Sequence, residues 1–172
     1  GATKARTGRF EEADRGTLFL DELGTLSMGA QERLLRAVEY GEITRIGASR
    51  PIRVDVRIVA TTNRDLEGEV RKGRFRQDLY YRINVFPITV PPLRQRKGDI
   101  PLLVRAFLER YSRKLGKQIT SVQKKTMKTL QEYPWPGNVR ELESIIERAV
   151  ILCPGPSLHL VDKLDISSAP IS

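Results

Sequence analysis

Residues 16 to 23 read GTLFLDEL, a short apolar run that ends on two adjacent acids, Asp21 and Glu22. A continuous run of apolar, β-branched and aromatic residues suits a buried strand, and in open α/β sheets ligands bind just beyond the carboxyl ends of the strands. The acid pair therefore stands where such folds do their chemistry. The same two residues also suit an ordinary strand terminus opening into a solvated loop, so other segments have to decide.

A second run, VRIVATTN at residues 56 to 63, ends in Thr61, Thr62 and Asn63, and a third, VFPITV at residues 85 to 90, also reads as strand. Two polar strand ends in one chain point to one site. Between the runs lie helical patterns, among them SMGAQERLLRAVEYG at residues 27 to 41, with Ser27 placed to cap it, Gly41 to stop it, and Leu34, Leu35 and Val38 on one face. This is an α/β layout. The character changes near PPLRQRKGD, residues 91 to 99, beyond which only helical patterns occur. They are IPLLVRAFLERYSRKLG (100 to 116), SVQKKTMKTLQEY (121 to 133) and NVRELESIIERAVILC (138 to 153), with Gly and Pro between them. The second part is expected to be a small helical bundle, and SSAPIS at 167 to 172 a frayed tail.

With 172 residues and 40% hydrophobic content, the chain can bury a real core. Its one cysteine, Cys153, excludes an internal disulfide and has no metal-ligand spacing around it, which suits a reducing compartment. No apolar stretch approaches the ~20 residues a membrane helix needs, and the first residues are polar, so the expectation is a cytoplasmic protein with no membrane partner. Thirty Lys and Arg against 21 Asp and Glu give a net charge of +9. That balance attracts nucleic acid, nucleotides or acidic proteins without choosing among them. Only 6% of residues are aromatic and no DNA- or RNA-reading motif occurs, which weighs against a basic nucleic-acid-binding module.

An Asp at a strand edge can hold Mg²⁺ directly or through water, a neighbouring Glu can orient or deprotonate an attacking water, and an Asn or Thr can hold that water or a phosphate oxygen. Asp21, Glu22, Thr62 and Asn63 are thus a candidate set for phosphoryl transfer. Thr62 and Asn63 equally suit a helix cap ahead of the acidic stretch that follows.

Four stretches, GRFEEADRGTLFLDEL, ATTNRDL, GRFRQDLYYRINVFPITVPPLRQRKGDIPLL and WPGNVRELE, occur in this order across nearly the whole chain. Together they resemble the central AAA+ ATPase domain of bacterial sigma-54-dependent transcriptional activators, the enhancer-binding proteins. The resemblance implies an α/β fold: the C-terminal part of a AAA+ parallel-sheet nucleotide-binding domain (residues 1 to 92), a linker (93 to 98), and a small all-α lid domain (99 to 166). It implies an ATPase that uses ATP and Mg²⁺ in a homo-oligomeric ring, hexamer or heptamer. That ring remodels RNA polymerase holoenzyme containing sigma-54 and is brought to enhancer DNA by a separate domain. By the same resemblance Asp21 is the Walker B Mg²⁺ ligand, Glu22 activates water, and Thr62 with Asn63 forms sensor I. Arg76 and Arg82 of FRQDLYYR reach the nucleotide of the neighbouring subunit, and Arg140 of WPGNVREL is sensor II.

The residues allow blander readings of the three arginines. On a straight helix, six residues at 100° each put Arg76 and Arg82 about 120° from parallel, and Phe75, Leu79 and Ile83 give an apolar stripe that would leave both arginines simply solvated. Arg140 falls in the first turn of a helix whose core stripe is Val139, Leu142, Ile146, Ala149 and Val150, where a cation opposes the helix dipole; Glu143 and Glu147 could offset it as surface ion pairs.

Departures from the family pattern matter as much. No stretch reads G-x-x-x-x-G-K-[ST], the loop that cradles phosphates. Gly1-Ala2 resembles the end of the family's GAFTGA loop, so the sequence is expected to be a fragment, unable to hydrolyse ATP alone. No helix-turn-helix occurs. Arg15 stands where the family usually has glycine, so the turn entering the first strand is expected to differ. A AAA+ subunit of another class, such as a loader, would share Asp21, Glu22 and Asn63 but has no reason to carry FRQDLYYR and WPGNVREL together.

Overall fold

The structure, a computed structural model, describes residues 8–45 and 47–160. Gly1-Ala2 and the stretch 167 to 172, expected to be a frayed tail, lie outside the described residues. The chain divides into two compact units, Gly1–Ile88 and Thr89–Ser172.

The first unit runs α1 (Arg9–Glu12), β1 (Thr17–Leu20), a 3₁₀ turn (Leu23–Thr25), α2 (Met28–Tyr40), the antiparallel pair β2 (Glu42–Thr44) and β3 (Pro51–Arg53), β4 (Arg57–Ala60), α3 (Leu66–Arg71) and α4 (Gln77–Ile83). Strands β1 and β4 pair in parallel, in a register from Thr17 opposite Arg57 to Leu20 opposite Ala60. Helix α2 has the ends its sequence announces. The Ala30 N–H donates to Ser27 Oγ at 3.3 Å, and Gly41 ends the helix at φ 63°, a left-handed turn that glycine adopts without steric cost. Leu23, Leu34, Phe75 and Leu79 are buried in one cluster, against which Leu20 and Ile58 of the strands pack.

Two expectations differ here. Phe19 and Val59, read as parts of buried strands, are exposed, because alternate side chains of a strand face opposite ways and the cluster receives only Leu20 and Ile58. Residues 85 to 90 form no strand, and Val85, Phe86, Ile88 and Val90 are exposed. β-Branched composition supplies propensity, but a strand also needs a neighbour for its backbone N–H and C=O groups, and none pairs with this stretch among the described residues.

The second unit holds 3₁₀ turns at Leu93–Gln95 and Lys97–Asp99, then α5 (Ile100–Lys114), β5 (Ser121–Val122), α6 (Lys124–Glu132), α7 (Asn138–Leu152) and β6 (Ser157–Leu158). Its helices occupy the three stretches the sequence assigns them. The bundle is not purely helical, because β5 and β6 add a short parallel pairing, Ser121 opposite Ser157 and Val122 opposite Leu158. Leu93, at the start of the stretch read as a linker, is wholly buried with Ile100, Val104, Leu130, Leu142 and Ile146 in the core of this unit. Its N–H donates to Asn138 Oδ1 at 2.9 Å. Trp135 is buried as well, its indole N–H donating to the Leu130 carbonyl at 2.7 Å. Cys153 is a buried free thiol. Among the described residues no helix is long and apolar enough to cross a membrane.

Candidate active site

One step beyond Leu20 and Ala60, the parallel register sets Asp21 beside Thr61. The ladder continues as Thr61 N–H to the Leu20 carbonyl and Leu23 N–H to the Thr61 carbonyl, both 2.8 Å. Asp21 Oδ1 accepts the Thr61 hydroxyl at 2.5 Å and the Glu22 N–H at 3.1 Å. Its Oδ2 has no hydrogen bond among the described residues and lies at an exposed strand end. The two polar strand ends thus meet, as the sequence suggests, but through Thr61 rather than Thr62.

Glu22 has a left-handed backbone, φ 54° and ψ 46°, uncommon for a residue with a side chain. Its carbonyl accepts both the N–H and the hydroxyl of Thr25 at 2.8 Å, so the 3₁₀ turn Leu23–Thr25 is anchored on it. Thr62 closes its own turn, its hydroxyl accepting the Arg64 N–H at 3.0 Å. Asn63 follows, exposed, with its side chain unbonded among the described residues. Arg64 returns to the acid-pair loop by donating to the Gly24 carbonyl at 3.1 Å. A Cβ on Gly24 would come within 3.0 Å of Arg64 Cδ and 3.2 Å of Thr62 Oγ1, so a side chain there would press on the Arg64 and Thr62 side chains.

Mg²⁺ prefers oxygen ligands, keeps much of its water, and is usually bound through one or two carboxylates plus phosphates. The site fits such an ion: Asp21 offers a free carboxylate oxygen, Glu22 is adjacent, and no cluster of three or more His, Cys, Asp or Glu forms a protein cage among the described residues. A cavity of about 1010 Å³ elsewhere in this unit is lined by Leu20, Leu26, Leu34 and Ile43 and includes none of Asp21, Glu22, Thr62 or Asn63.

The two arginines of FRQDLYYR are held differently. Arg76 is not in the helix; it is the N-cap of α4 with extended backbone, ψ 132°, so the angular offset expected on a straight helix does not apply. Its guanidinium grips Asp78 with two hydrogen bonds, 3.0 and 2.7 Å. This contact holds the Asp78 carboxyl below the usual carboxylate range, so the pair persists as pH falls until that lowered value is reached. Arg82, in the last turn of α4, is exposed and makes no ion pair among the described residues.

In the second unit Arg140 is exposed on the first turn of α7. The two acids that might have paired with it are engaged elsewhere. Glu143 accepts from Arg110 and from the Tyr111 hydroxyl, both at 2.9 Å, and Glu147 lies 3.7 Å from Lys114. Arg140 makes no ion pair among the described residues, so the reading of it as part of a surface pair does not hold.

Residues 1–89 match the Sigma-54 interaction domain family, and residues 94–165 match the AAA+ ATPase lid domain. The chain belongs to the Sigma-54 interaction domain family. It is 52% identical over 172 residues to the transcriptional regulatory protein ZraR of Escherichia coli K12, covering 99% of this chain and 39% of that protein. It is 55% identical over 152 residues to the anaerobic nitric oxide reductase transcription regulator NorR of Vibrio vulnificus, covering 88% of this chain and 30% of that one. Among solved structures it is similar to NtrX from Brucella abortus in complex with ADP, with a TM-score of 0.82 and 37% identity over 88% of this chain and 34% of NtrX. The chain therefore spans well under half the length of these relatives. The matches support an α/β AAA+ domain followed by its lid, of the sigma-54 class rather than the loader class.

Proposed function

We propose that this chain is part of the AAA+ ATPase of a cytoplasmic sigma-54-dependent transcriptional activator. In this reading, ATP hydrolysis in a homo-oligomeric ring, hexamer or heptamer, drives remodelling of sigma-54 RNA polymerase holoenzyme and opening of promoter DNA. Enhancer DNA is bound by another domain of the same protein. The observation that carries the reading is the meeting of two parallel strand ends at Asp21 and Thr61, with Glu22 held beside them in a left-handed backbone. The similarity of the fold to NtrX, whose structure has been solved in complex with ATP, supports the choice of nucleotide.

Asp21 presents its free oxygen to Mg²⁺ or to a water on it. Glu22 orients and deprotonates the attacking water, and Thr62 and Asn63 report the state of the γ-phosphate from the neighbouring strand end. Arg82 and Arg76 serve the site of the adjacent subunit, with Arg76 leaving Asp78 to do so, and Arg140 contacts phosphate from the lid. When bound, Mg²⁺ and the triphosphate supply the charge neutralisation and the scissile anhydride. A phosphate-cradling G-x-x-x-x-G-K-[ST] loop is not among these 172 residues, so the 172 residues alone are proposed not to hydrolyse ATP.

The test separates the two acids in the full-length protein. Glu22→Gln preserves shape and removes basicity, so nucleotide and Mg²⁺ binding persist while hydrolysis falls at least ~10²-fold, the range general-base loss produces. Asp21→Asn weakens Mg²⁺ binding as well. Hydrolysis near wild type for both substitutions would reduce the pair to a strand terminus.

A further inference from the structure

Gln31 falls on the apolar stripe of α2, three, four and seven residues before Leu34, Leu35 and Val38, and it is wholly buried, with 0% exposure. A buried amide needs partners for both its N–H groups and its oxygen. All are met by backbone, from the turn just before α2 and from a segment 43 to 45 residues further along the chain. Nε2 donates to the Leu26 carbonyl at 2.8 Å and the Arg74 carbonyl at 3.1 Å, and Oε1 accepts the Arg76 N–H at 2.8 Å. Leu26 ends the turn that follows Asp21 and Glu22. Arg74 and Arg76 flank Phe75 on the approach to α4.

That approach is clamped on every residue. The Arg74 guanidinium holds Glu69 through bonds of 2.8 and 2.6 Å, Phe75 is buried, and Arg76 is fixed by its N–H on Gln31. The Arg76 side chain does not cap α4; Asp78 Oδ1 accepts the Leu79 N–H of the first turn at 2.7 Å, and the N-cap N–H finds its acceptor on Gln31. The backbone N–H of Arg76 is thus held by Gln31, while its guanidinium rests on Asp78.

We propose that Gln31 is a positioning residue that sets the direction in which Arg76 projects and ties that direction to the loop behind the acid pair. The proposal rests on the reading above, in which Arg76 serves a neighbouring subunit. It implies that a Gln31 variant is a poor donor of Arg76 while its own Asp21 and Glu22 remain competent.

The experiment uses the full-length protein with Gln31→Leu, which removes all three bonds, and Gln31→Glu, which keeps an oxygen for the Arg76 N–H. Gln31→Leu rings are expected to show kcat lowered about tenfold or more with KM for ATP nearly unchanged, the pattern of an interaction lost only in the transition state. Gln31→Glu is expected to retain more activity; equal loss would overturn the Arg76 N–H as the operative contact. Mixing Gln31→Leu with Glu22→Gln subunits, whose arginines are intact, should restore hydrolysis, because competent sites then face well-placed arginines. Arg76→Ala mixed with Glu22→Gln is the control. If the control recovers and the Gln31→Leu mixture does not, Gln31 damages its own site and the inference fails while the reading of Arg76 stands. If the control also fails although mixed rings form, the trans reading itself is wrong. Failure of both Gln31 variants to assemble would assign Gln31 to folding and overturn the positioning role.

Discussion

In the second unit Trp135, Leu142 and Ile146 are wholly buried, whereas beside the acid pair of the first unit Phe19 and Val59 keep 59% and 41% of their surface exposed. Both units contain side-chain-bearing residues at positive φ, Arg15 and Glu22 in the first, Trp135 and Asn138 in the second. In the second unit these positions are compensated: Trp135 is buried with its N–H bonded, and Asn138 Oδ1 accepts the Leu93 N–H. In the first, both stand at exposed positions flanking β1 and are held through their backbone groups, the Arg15 N–H on the Asp55 carbonyl, the Glu22 N–H on Asp21 and the Glu22 carbonyl on Thr25. Backbone strain of this kind persists where surrounding structure over-determines it and tends to cluster at functional sites. Among the described residues the second unit buries the larger apolar cluster, and in the first the acid pair is placed by hydrogen bonds from Thr61 and from the backbone beside it.

The largest expected effect tests that contrast directly. Leu142→Ala removes a wholly buried side chain from the second core and should cost ~2 to 5 kcal/mol. In the 172-residue chain Phe19→Ala, at a largely exposed position, should cost under ~1 kcal/mol. Trp135 is the sole tryptophan and lies in the second unit, so its fluorescence during denaturation follows that core. Equal losses for the two variants would break the comparison.

The same contrast explains what the sequence could tell. Helices α2, α5, α6 and α7 were legible because caps, glycine stops and 3.6-residue apolar periodicity are local signals. The stretch at 85 to 90 was not, because strand pairing depends on a neighbour that side-chain pattern does not specify. Asp21 and Glu22 were legible as polar groups at a strand end. Thr61 was visible at the same edge, but its contact with Asp21 follows only once the parallel register is known. Gln31 did leave a signal, a polar residue on the apolar stripe of α2, but the Arg74 carbonyl and Arg76 N–H it serves lie in a segment no periodicity joins to it. Arg76 as an N-cap was obscured because the apolar spacing of Phe75, Leu79 and Ile83 reads as one continuous helix, while the helix begins at Gln77.

A middle-sized effect is expected at Thr61, which probes whether the first unit relies on single hydrogen bonds. Thr61→Val keeps the shape and removes the donor to Asp21. A hydrogen bond to a charged group is worth ~1.5 to 3 kcal/mol, so Mg²⁺-dependent hydrolysis by the full-length protein should fall by about tenfold or more. The Mg²⁺ concentration needed for half-maximal rate should rise, and Thr61→Ser should stay near wild type. Unchanged Mg²⁺ dependence in the valine variant would mean that Asp21 is held by its backbone contacts alone.

The smallest effect is expected at Arg15, and Trp135, a position of similar backbone, serves as a larger control of opposite sign. The turn entering β1 keeps a glycine-like conformation with arginine in it, φ 59° at Arg15, so its backbone has not departed from what glycine would adopt. The Arg15 N–H donates to the Asp55 carbonyl at 2.7 Å, a contact any residue can make. A left-handed backbone costs an ordinary L-residue ~1 to 2 kcal/mol, and glycine gives back ~0.5 to 1 kcal/mol through its freer unfolded chain, so Arg15→Gly should stabilise the first unit by ~0.5 to 1 kcal/mol. Trp135→Gly relieves the same kind of backbone cost at φ 51° but empties a buried site and removes the bond to Leu130, so it should destabilise the second unit by ~3 kcal/mol or more. Hydrogen exchange of amides in β1 and in α7 reads the two units separately. If Arg15→Gly slows nothing in β1, the left-handed turn is not a strain that the first unit carries, and the contrast with Trp135 loses its basis.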